Sequence, residues 1–452
     1  MNKPRLQDAA WIIGTVMTLL GATYVGANAV ILVAGAAAFG ILVSITSRSS
    51  FTAAVFWVTA VLIIPPWIYL QFAGLRLAPA AVIALAIIVG RFRKTSLQIN
   101  VVDRLMIAMA VAAVISAALA STPLHILSQI VLEWGLCYAA ARLISADDAF
   151  GDYLARLGAV TGALAIAQAV TRVDVSDLPV FSFSVGATNW MGLQSRAGIA
   201  RAELTTGQSI ALGGILAMFL AFALTSRSVR FKILFVVLIS GGLFATVSRG
   251  ALLSALLVVF LCVLTLRITK ASRFTLLGVT ALAGLATATF FGDFLEQNAT
   301  AELSDGTGYR QGLLSTFQYV RPFGLAENAV PSGVGTTFTW DGYFSIDNGI
   351  LYIALYAGAA VAACVIGSLI VLLWWSTRRG LNGYAIAVLG QIPLLLTVAP
   401  ITQYQDFLFL FLGLASSTLG SRAAPPPLAE SRETGFRASR ERDLGRAIAR
   451  LR

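Results

Sequence analysis

The sequence has one histidine, His125, and three cysteines, Cys137, Cys262 and Cys364, in 452 residues. A single imidazole excludes a metal centre built on several histidines, and the cysteines stand in no zinc-ligating spacing. Each cysteine falls inside an apolar run, where a thiol behaves as a small hydrophobic group. Charge is scarce as well. Only 12% of the residues are charged and 58% are hydrophobic, against about 25% charged in an average soluble domain. That balance excludes an ordinary soluble fold and predicts a polytopic membrane protein. The opening stretch MNKPRLQDAA carries no signal-peptide cleavage pattern, so the first apolar run is expected to remain as a membrane helix.

What the chain has in quantity is apolar length. About 20 apolar residues cross a hydrocarbon core of about 30 Å. The rule predicts an all-α fold of about 12–14 transmembrane helices. Their limits fall near 9–24, 27–46, 51–71, 76–91, 103–121, 124–144, 152–171, 206–225, 232–248, 251–268, 274–292, 348–374, 382–400 and 406–420. Residues 1–420 then form the membrane domain, with two long loops at about 172–205 and 293–347, and residues 421–452 form a basic tail.

The net charge of +11 gathers in no single patch. Basic residues punctuate the apolar runs instead, which argues against nucleic acid as a partner. With a cytoplasmic N-terminus, 25 of the 32 Lys and Arg residues fall on the cytoplasmic side, the tail included. The outer side receives Arg76, Arg172, Arg196, Arg201, Arg249, Arg310 and Arg321. This bias predicts both termini inside and both long loops outside. In the tail, three prolines end the last helix. Leu444, Ile448 and Leu451 recur among arginines at a spacing that suits either a short helix on anionic lipid or a solvated, disordered segment.

Long loops commonly carry function, and arginines on the disfavoured side of a membrane call for a reason. A guanidinium is a planar fork that grips phosphate oxygens in pairs. Arg249, in FATVSRGALLSALL, either snorkels to the interface or holds an anion. Arg196 and Arg201 precede a span starting near Thr206, whose helix N-terminus adds positive potential; Glu203 is the alternative partner for Arg201. Arg310 lies in SDGTGYRQGLLSTFQYVRPFG. There Tyr309, Leu313 and Phe317 share one face at i, i+4, i+8 and predict an amphipathic helix. Arg321 precedes a proline at the end of that helix and reads as structural. The loop aromatics Tyr309, Phe317, Tyr319, Trp340 and Tyr343 suit sugar stacking or interfacial anchoring equally.

Two acids stand out. Glu133 lies within a span, nine residues before Arg142. That separation is about 13.5 Å along a helix, so any partner must come from another helix. Asp347 ends the second long loop. Its position suits an N-cap, and its location beside the outer arginines suits a general base acting on an acceptor hydroxyl.

Taken in order, RAELTTGQSIALG, SRGALLSALL, GYRQGLLSTFQYVRPFG and DNGILYIALYAG resemble the O-antigen ligase and Wzy-type polysaccharide polymerase superfamily, which includes ExoQ-like exopolysaccharide proteins. The resemblance covers roughly residues 190–360. Asp347-Asn348 stands where the ligase branch usually has His-Asn. Gln208, Ser209 and Ile210 stand where many relatives have a His-Pro-Asn-like segment, and Val361 replaces a small residue. The aspartate points toward the polymerase branch.

The resemblance implies a GT-C-like glycosyltransferase in the bacterial inner membrane, inverting and independent of metal or other cofactor. Its substrate would be a glycan on undecaprenyl pyrophosphate, presented at the outer leaflet to an acceptor glycan. Membrane lipids and a regulator of polysaccharide chain length are the further partners implied. Arg201, Arg249 and Arg310 would hold the pyrophosphate, with Arg196 as a fourth. Asp347 would be the base, and Asn348 or Tyr352 would orient the acceptor. The rival readings are an O-antigen ligase acting on lipid A-core, a flippase for lipid-linked oligosaccharides, a non-catalytic assembly partner and a protein O-oligosaccharyltransferase.

Overall fold

The computed structural model describes residues 29–72, 75–95, 97–119, 122–144, 147–174, 193–196, 199–226, 231–265, 309, 312–331, 338–343, 346–399 and 402–420. These residues are mostly helical, with three two-stranded antiparallel hairpins between helices. Four helices are long and apolar enough to cross a membrane: Val101–Leu119, Leu124–Arg142, Asp148–Thr171 and Ala359–Arg379. The chain is therefore an α-helical, membrane-associated protein. Seven further apolar helices among the described residues are shorter. The runs expected at 9–24 and 274–292 lie outside the described residues.

The first described helices are α1 (Ala29–Arg48) and α2 (Ser50–Ile63). Ser49 between them caps α2, its hydroxyl accepting the Thr52 N–H at 2.9 Å. The expected span to residue 71 stops at Ile63, because Pro65 and Pro66 cannot continue the ladder. A hairpin of β1 (Leu70–Phe72) and β2 (Leu75–Leu77) follows. Next come α3 (Pro79–Arg91), α4 (Val101–Leu119), α5 (Leu124–Arg142) and α6 (Asp148–Thr171). Within α5, Gln129–Gly135 is a π-helix, a widened turn frequent at functional sites.

A second group contains α7 (Ser209–Thr225), α8 (Lys232–Ala245) and α9 (Arg249–Thr265). α7 is apolar all round and buried along nearly its whole length, which marks the centre of the bundle. Gly162 of α6 and Gly242 of α8 let two backbones meet. A Cβ on Gly242 would lie 2.6 Å from the Gly162 Cα. Without a hydrophobic drive between helices in lipid, such small-residue contacts are what make close packing favourable.

The C-terminal part departs from the expected spans in three places. The run 348–374 is two helices, α10 (Gly349–Ala357) and α11 (Ala359–Arg379). Gly358 separates them at φ +96° and ψ 160°, a conformation open essentially to glycine alone. The loop segment 321–326 lies against this break. Gly324 N–H and Ala326 N–H donate to the Ala357 and Leu355 carbonyls at 3.3 and 2.7 Å, and Ala359 N–H and Ala360 N–H donate to the Arg321 and Pro322 carbonyls at 2.8 and 3.0 Å. The run 382–400 is likewise divided into α12 (Gly383–Leu389) and α13 (Ile392–Thr397). The last helix, α14 (Thr402–Gly420), begins four residues before the expected 406.

The predicted amphipathic loop helix forms in part. Residues 312–315 are helical, but Thr316–Tyr319 tighten into a 3-10 turn. A 3-10 turn has three residues rather than 3.6, so the i+8 position rotates off the face. Leu313 is buried, whereas Phe317 is 50% exposed.

Two ends of the bundle are chemically distinct. At one end, Arg142 forms a bidentate pair with Asp103, Nε to Oδ1 at 2.7 Å and Nη2 to Oδ2 at 3.0 Å. Tyr138 donates to the same carboxylate at 2.6 Å, and the Asn100 N–H donates to Oδ2 at 2.8 Å. The opposite end, where α6 stops at Thr171 and α10 starts at Gly349, holds the candidate site.

Candidate functional site

The site at this loop end is built around a turn. α8 ends at Ala245, and Thr246 closes it by donating its hydroxyl to the Leu243 carbonyl at 2.7 Å. Val247 follows at φ +48°, a strained conformation for a β-branched residue and one that concentrates at functional sites. Ser248 then offers its hydroxyl oxygen to the Ala251 N–H at 3.4 Å, and Arg249 opens α9. The Arg249 side chain is drawn inward, with Nε and Nη2 buried.

Arg201 is fastened to the same turn from the other side. Its Nε donates to the Thr246 carbonyl at 3.2 Å, and the next residue, Ala202, donates its N–H to the Ala245 carbonyl at 2.9 Å. Two of the arginines selected from the sequence thus flank one turn. The Arg196 backbone pairs with Ile199 in a hairpin of β3 (Ser195–Arg196) and β4 (Ile199–Ala200). The Arg196 side chain and all of Arg310 lie outside the described residues.

Glu203, the sequence alternative as partner for Arg201, is buried. Its carboxylate accepts the Gln194 N–H at 3.2 Å, while Gln168 Oε1 accepts the Glu203 and Leu204 N–H groups at 2.8 and 2.7 Å. Burial pushes its carboxyl up to about 7; the Gln194 hydrogen bond and the Arg201 charge oppose the rise, and Asp174 adds to it.

A stability prediction follows from the same shift. The unfolded carboxyl ionises near its ordinary 4.5 and the folded one near 7. Between those values the folded state holds more protons, so stability falls as pH rises through the window. Melting of the purified protein in detergent is expected to drop between about pH 5 and pH 7.5. Glu203→Gln is expected to flatten that slope; equal slopes in both proteins refute the assignment.

Asp347 is not the cap of α10. The cap is Asn348, at φ −156° and ψ 116°, whose Oδ1 accepts the Leu351 N–H at 2.9 Å. The geometry selects Asn348 because its oxygen lies three residues before that donor, the N-cap to N3 spacing. Asp347 stands one residue earlier and half-exposed, so its carboxylate is not consumed by capping. Asn348, expected with Tyr352 as a residue orienting the acceptor, uses its side-chain oxygen to hold α10. Among the aromatics, Trp340 is fully buried against Tyr356, ring centroids 5.2 Å apart, which removes it from sugar stacking.

A cavity of about 220 Å³ opens among the loop-end termini of α2, α3, α5, α10 and α14. His125, Gln129 and Glu133 line it from α5, Tyr352 from α10, and Thr402, Gln403, Gln405 and Asp406 from α14. Gln129 Nε2 donates to Gln405 Oε1 at 2.6 Å, and Gln405 Nε2 donates to Glu133 Oε2 at 2.7 Å. Glu133 is therefore held across helices, and Arg142 goes to Asp103. Gln403 Nε2 donates to the Ile64 carbonyl at 3.1 Å and to the Thr205 carbonyl at 3.2 Å, with Thr205 four residues beyond Arg201 in the chain. Of the residues singled out in the sequence, Glu133 and Tyr352 line the cavity.

The α14 contribution was missed because 401–405 reads as a short connection between spans. A signal is present in TQYQD (402–406): four of five residues are polar directly before an apolar run, and a helix projects them toward more than one neighbour. Among the described residues, no group of three His, Cys, Asp or Glu is placed to hold a metal ion. Compared with protein-family models, curated proteins and solved structures, the chain finds no match.

Proposed function

We propose that this protein is a membrane glycosyltransferase that extends or transfers glycans carried on undecaprenyl pyrophosphate at the outer face of the bacterial inner membrane, with polymerisation favoured over ligation. The observation that carries the reading is the attachment of Arg201 to the turn that delivers Arg249. Two guanidinium groups beside one helix N-terminus suit a pyrophosphate leaving group, whose charge grows as the glycosidic bond breaks. Asp347, half-exposed and one residue before the α10 cap, suits removal of the proton from the acceptor hydroxyl. In-line displacement then inverts the anomeric centre. The loop end is the periplasmic face in this reading, with both termini cytoplasmic.

The experiment is reconstitution of the full chain with undecaprenyl-pyrophosphate-linked repeat units. Longer glycan and free undecaprenyl pyrophosphate are expected, and Asp347→Asn is expected to lower kcat by at least about 100-fold, the scale of general-base catalysis. Full activity in Asp347→Asn removes it as the base; no product from any lipid-linked glycan removes the transferase reading.

A second reading has its own support. Helices broken at Gly358 and at Gly390–Gln391, and a cavity holding Glu133 and Asp406, are also features of transporters. Movement of a labelled lipid-linked oligosaccharide across vesicles without glycan extension supports the flippase instead.

A further inference from the structure

The cavity is chemically unlike the arginine turn. Glu133 and Asp406 are 5% and 3% exposed, and two carboxylates in one small space disfavour a pyrophosphate there. Its lining is rich in acceptors. A carboxylate offers about four lone-pair sites, one of which on Glu133 takes the Gln405 amide. Gln405 has both amide ends engaged. Gln403 is 3% exposed and its amide nitrogen is engaged twice, while its Oε1 has no hydrogen-bond partner among the described residues; the same holds for Thr402 Oγ1. Buried polar atoms of this kind call for an explanation. Thr402 also sits at φ +48°, strained for a β-branched residue.

The volume of about 220 Å³ lies below the roughly 300–1,000 Å³ of sites for drug-sized ligands. It suits a ligand of one ring that brings several hydroxyl donors. We propose that this cavity is a sugar subsite that takes a single pyranose ring of the acceptor glycan, its hydroxyls donating to Glu133, Asp406, Gln403 and Thr402. The identity of the ligand as a sugar rests on the glycosyltransferase reading. Gln403, which lines the cavity, also bonds to Thr205 in the segment that carries Arg201, so cavity and arginines are fastened to one part of the chain.

The test uses the full chain in lipid nanodiscs and methyl glycosides of glucose, galactose, mannose, rhamnose and N-acetylglucosamine, followed by saturation-transfer NMR. At least one glycoside is expected to bind saturably in the millimolar range. Thr402→Val, which removes a hydroxyl without changing shape, and Glu133→Gln are each expected to weaken that binding about tenfold, while Arg249→Ala retains it. Absence of binding by all five glycosides overturns the proposal, as does binding that neither Thr402→Val nor Glu133→Gln alters. Binding of sodium ions lost in the same variants, with no glycoside bound, overturns it in favour of a cation site. Glycoside binding without glycan extension leaves the subsite standing and removes the transferase reading. Extension with an unchanged acceptor KM in Thr402→Val does the reverse.

Discussion

Arg249→Ala is expected to abolish glycan extension while the protein still accumulates in the membrane. The residue opens α9 directly after the strained Val247, and it carries buried guanidinium nitrogens. In a site shielded from bulk water, a preorganised cation aimed at a developing charge is worth more than the same cation in solvent, and loss of one such donor costs about 100- to 1,000-fold in rate. The turn itself is held by Thr246, Ser248 and the Arg201 hydrogen bond, none of which needs the Arg249 side chain. The folded protein is therefore expected to survive the substitution, as checked by gel filtration in detergent. Arg249→Lys keeps the charge and loses the paired fork, so an intermediate rate is expected. Normal polymer length in the Arg249→Ala strain refutes a role in the reaction.

The way that turn is assembled indicates why part of the site was legible and part was not. An arginine in an apolar run is conspicuous at any position, and the Lys/Arg bias makes Arg201 and Arg249 more so. Nothing in the sequence states that Arg201 meets the Thr246 carbonyl, 45 residues away; that follows from the packing of α6, α7 and α8. The cap on α10 was legible as a motif and ambiguous by one residue. Asp and Asn are both good caps, and backbone geometry decides for Asn348. The helix ends were less legible because apolar composition alone is blind to them. Gly358 reads as one glycine among 40; its importance comes from the 321–326 segment, which fills the space a Cβ would need, with the Phe323 Cα at 2.6 Å and the Pro322 oxygen at 2.7 Å.

The cavity illustrates a related limit. Glu133 could be recognised as a buried acid needing a partner on another helix, but that partner is the neutral Gln405 and its neighbour is a second acid, Asp406. Amides repeated on one helical turn give a weak sequence signal, yet in an apolar surrounding they hold a carboxylate by hydrogen bonds without cancelling its charge. Arg201 and Arg249 stand at the turn, with Glu203 close to Arg201, while Glu133 and Asp406 line the cavity. In the proposed function the turn would meet the anion and the cavity the acceptor hydroxyl groups.

At the opposite end, Asp103→Ala is expected to be strongly destabilising. Asp103 and Arg142 are 11% and 10% exposed at the side chain, so neither is well solvated. The carboxylate serves three residues at once. It accepts both arms of Arg142, the Tyr138 hydroxyl and the Asn100 N–H, joining α4 to α5 and organising the chain entry to α4. Alanine removes the acceptor and leaves the Arg142 guanidinium buried without its carboxylate, while Tyr138 keeps the Ser416 hydroxyl as a partner at 3.2 Å. Breaking a buried pair from one side costs about 3–5 kcal/mol, because the surviving charge keeps its desolvation penalty. The hydrogen bonds from Arg142 to the Gln98 carbonyl and the Ser417 hydroxyl keep the cost from rising further. A fall of several degrees in the apparent melting temperature is expected. The double variant Asp103→Leu with Arg142→Met is expected to recover most of that loss, since it removes the stranded charge and suits the apolar surroundings. Equal melting temperatures for wild type and Asp103→Ala refute the assignment. If the double variant is less stable than Asp103→Ala, then Arg142 is held chiefly by Gln98 and Ser417, and the network stabilises the fold through those contacts instead.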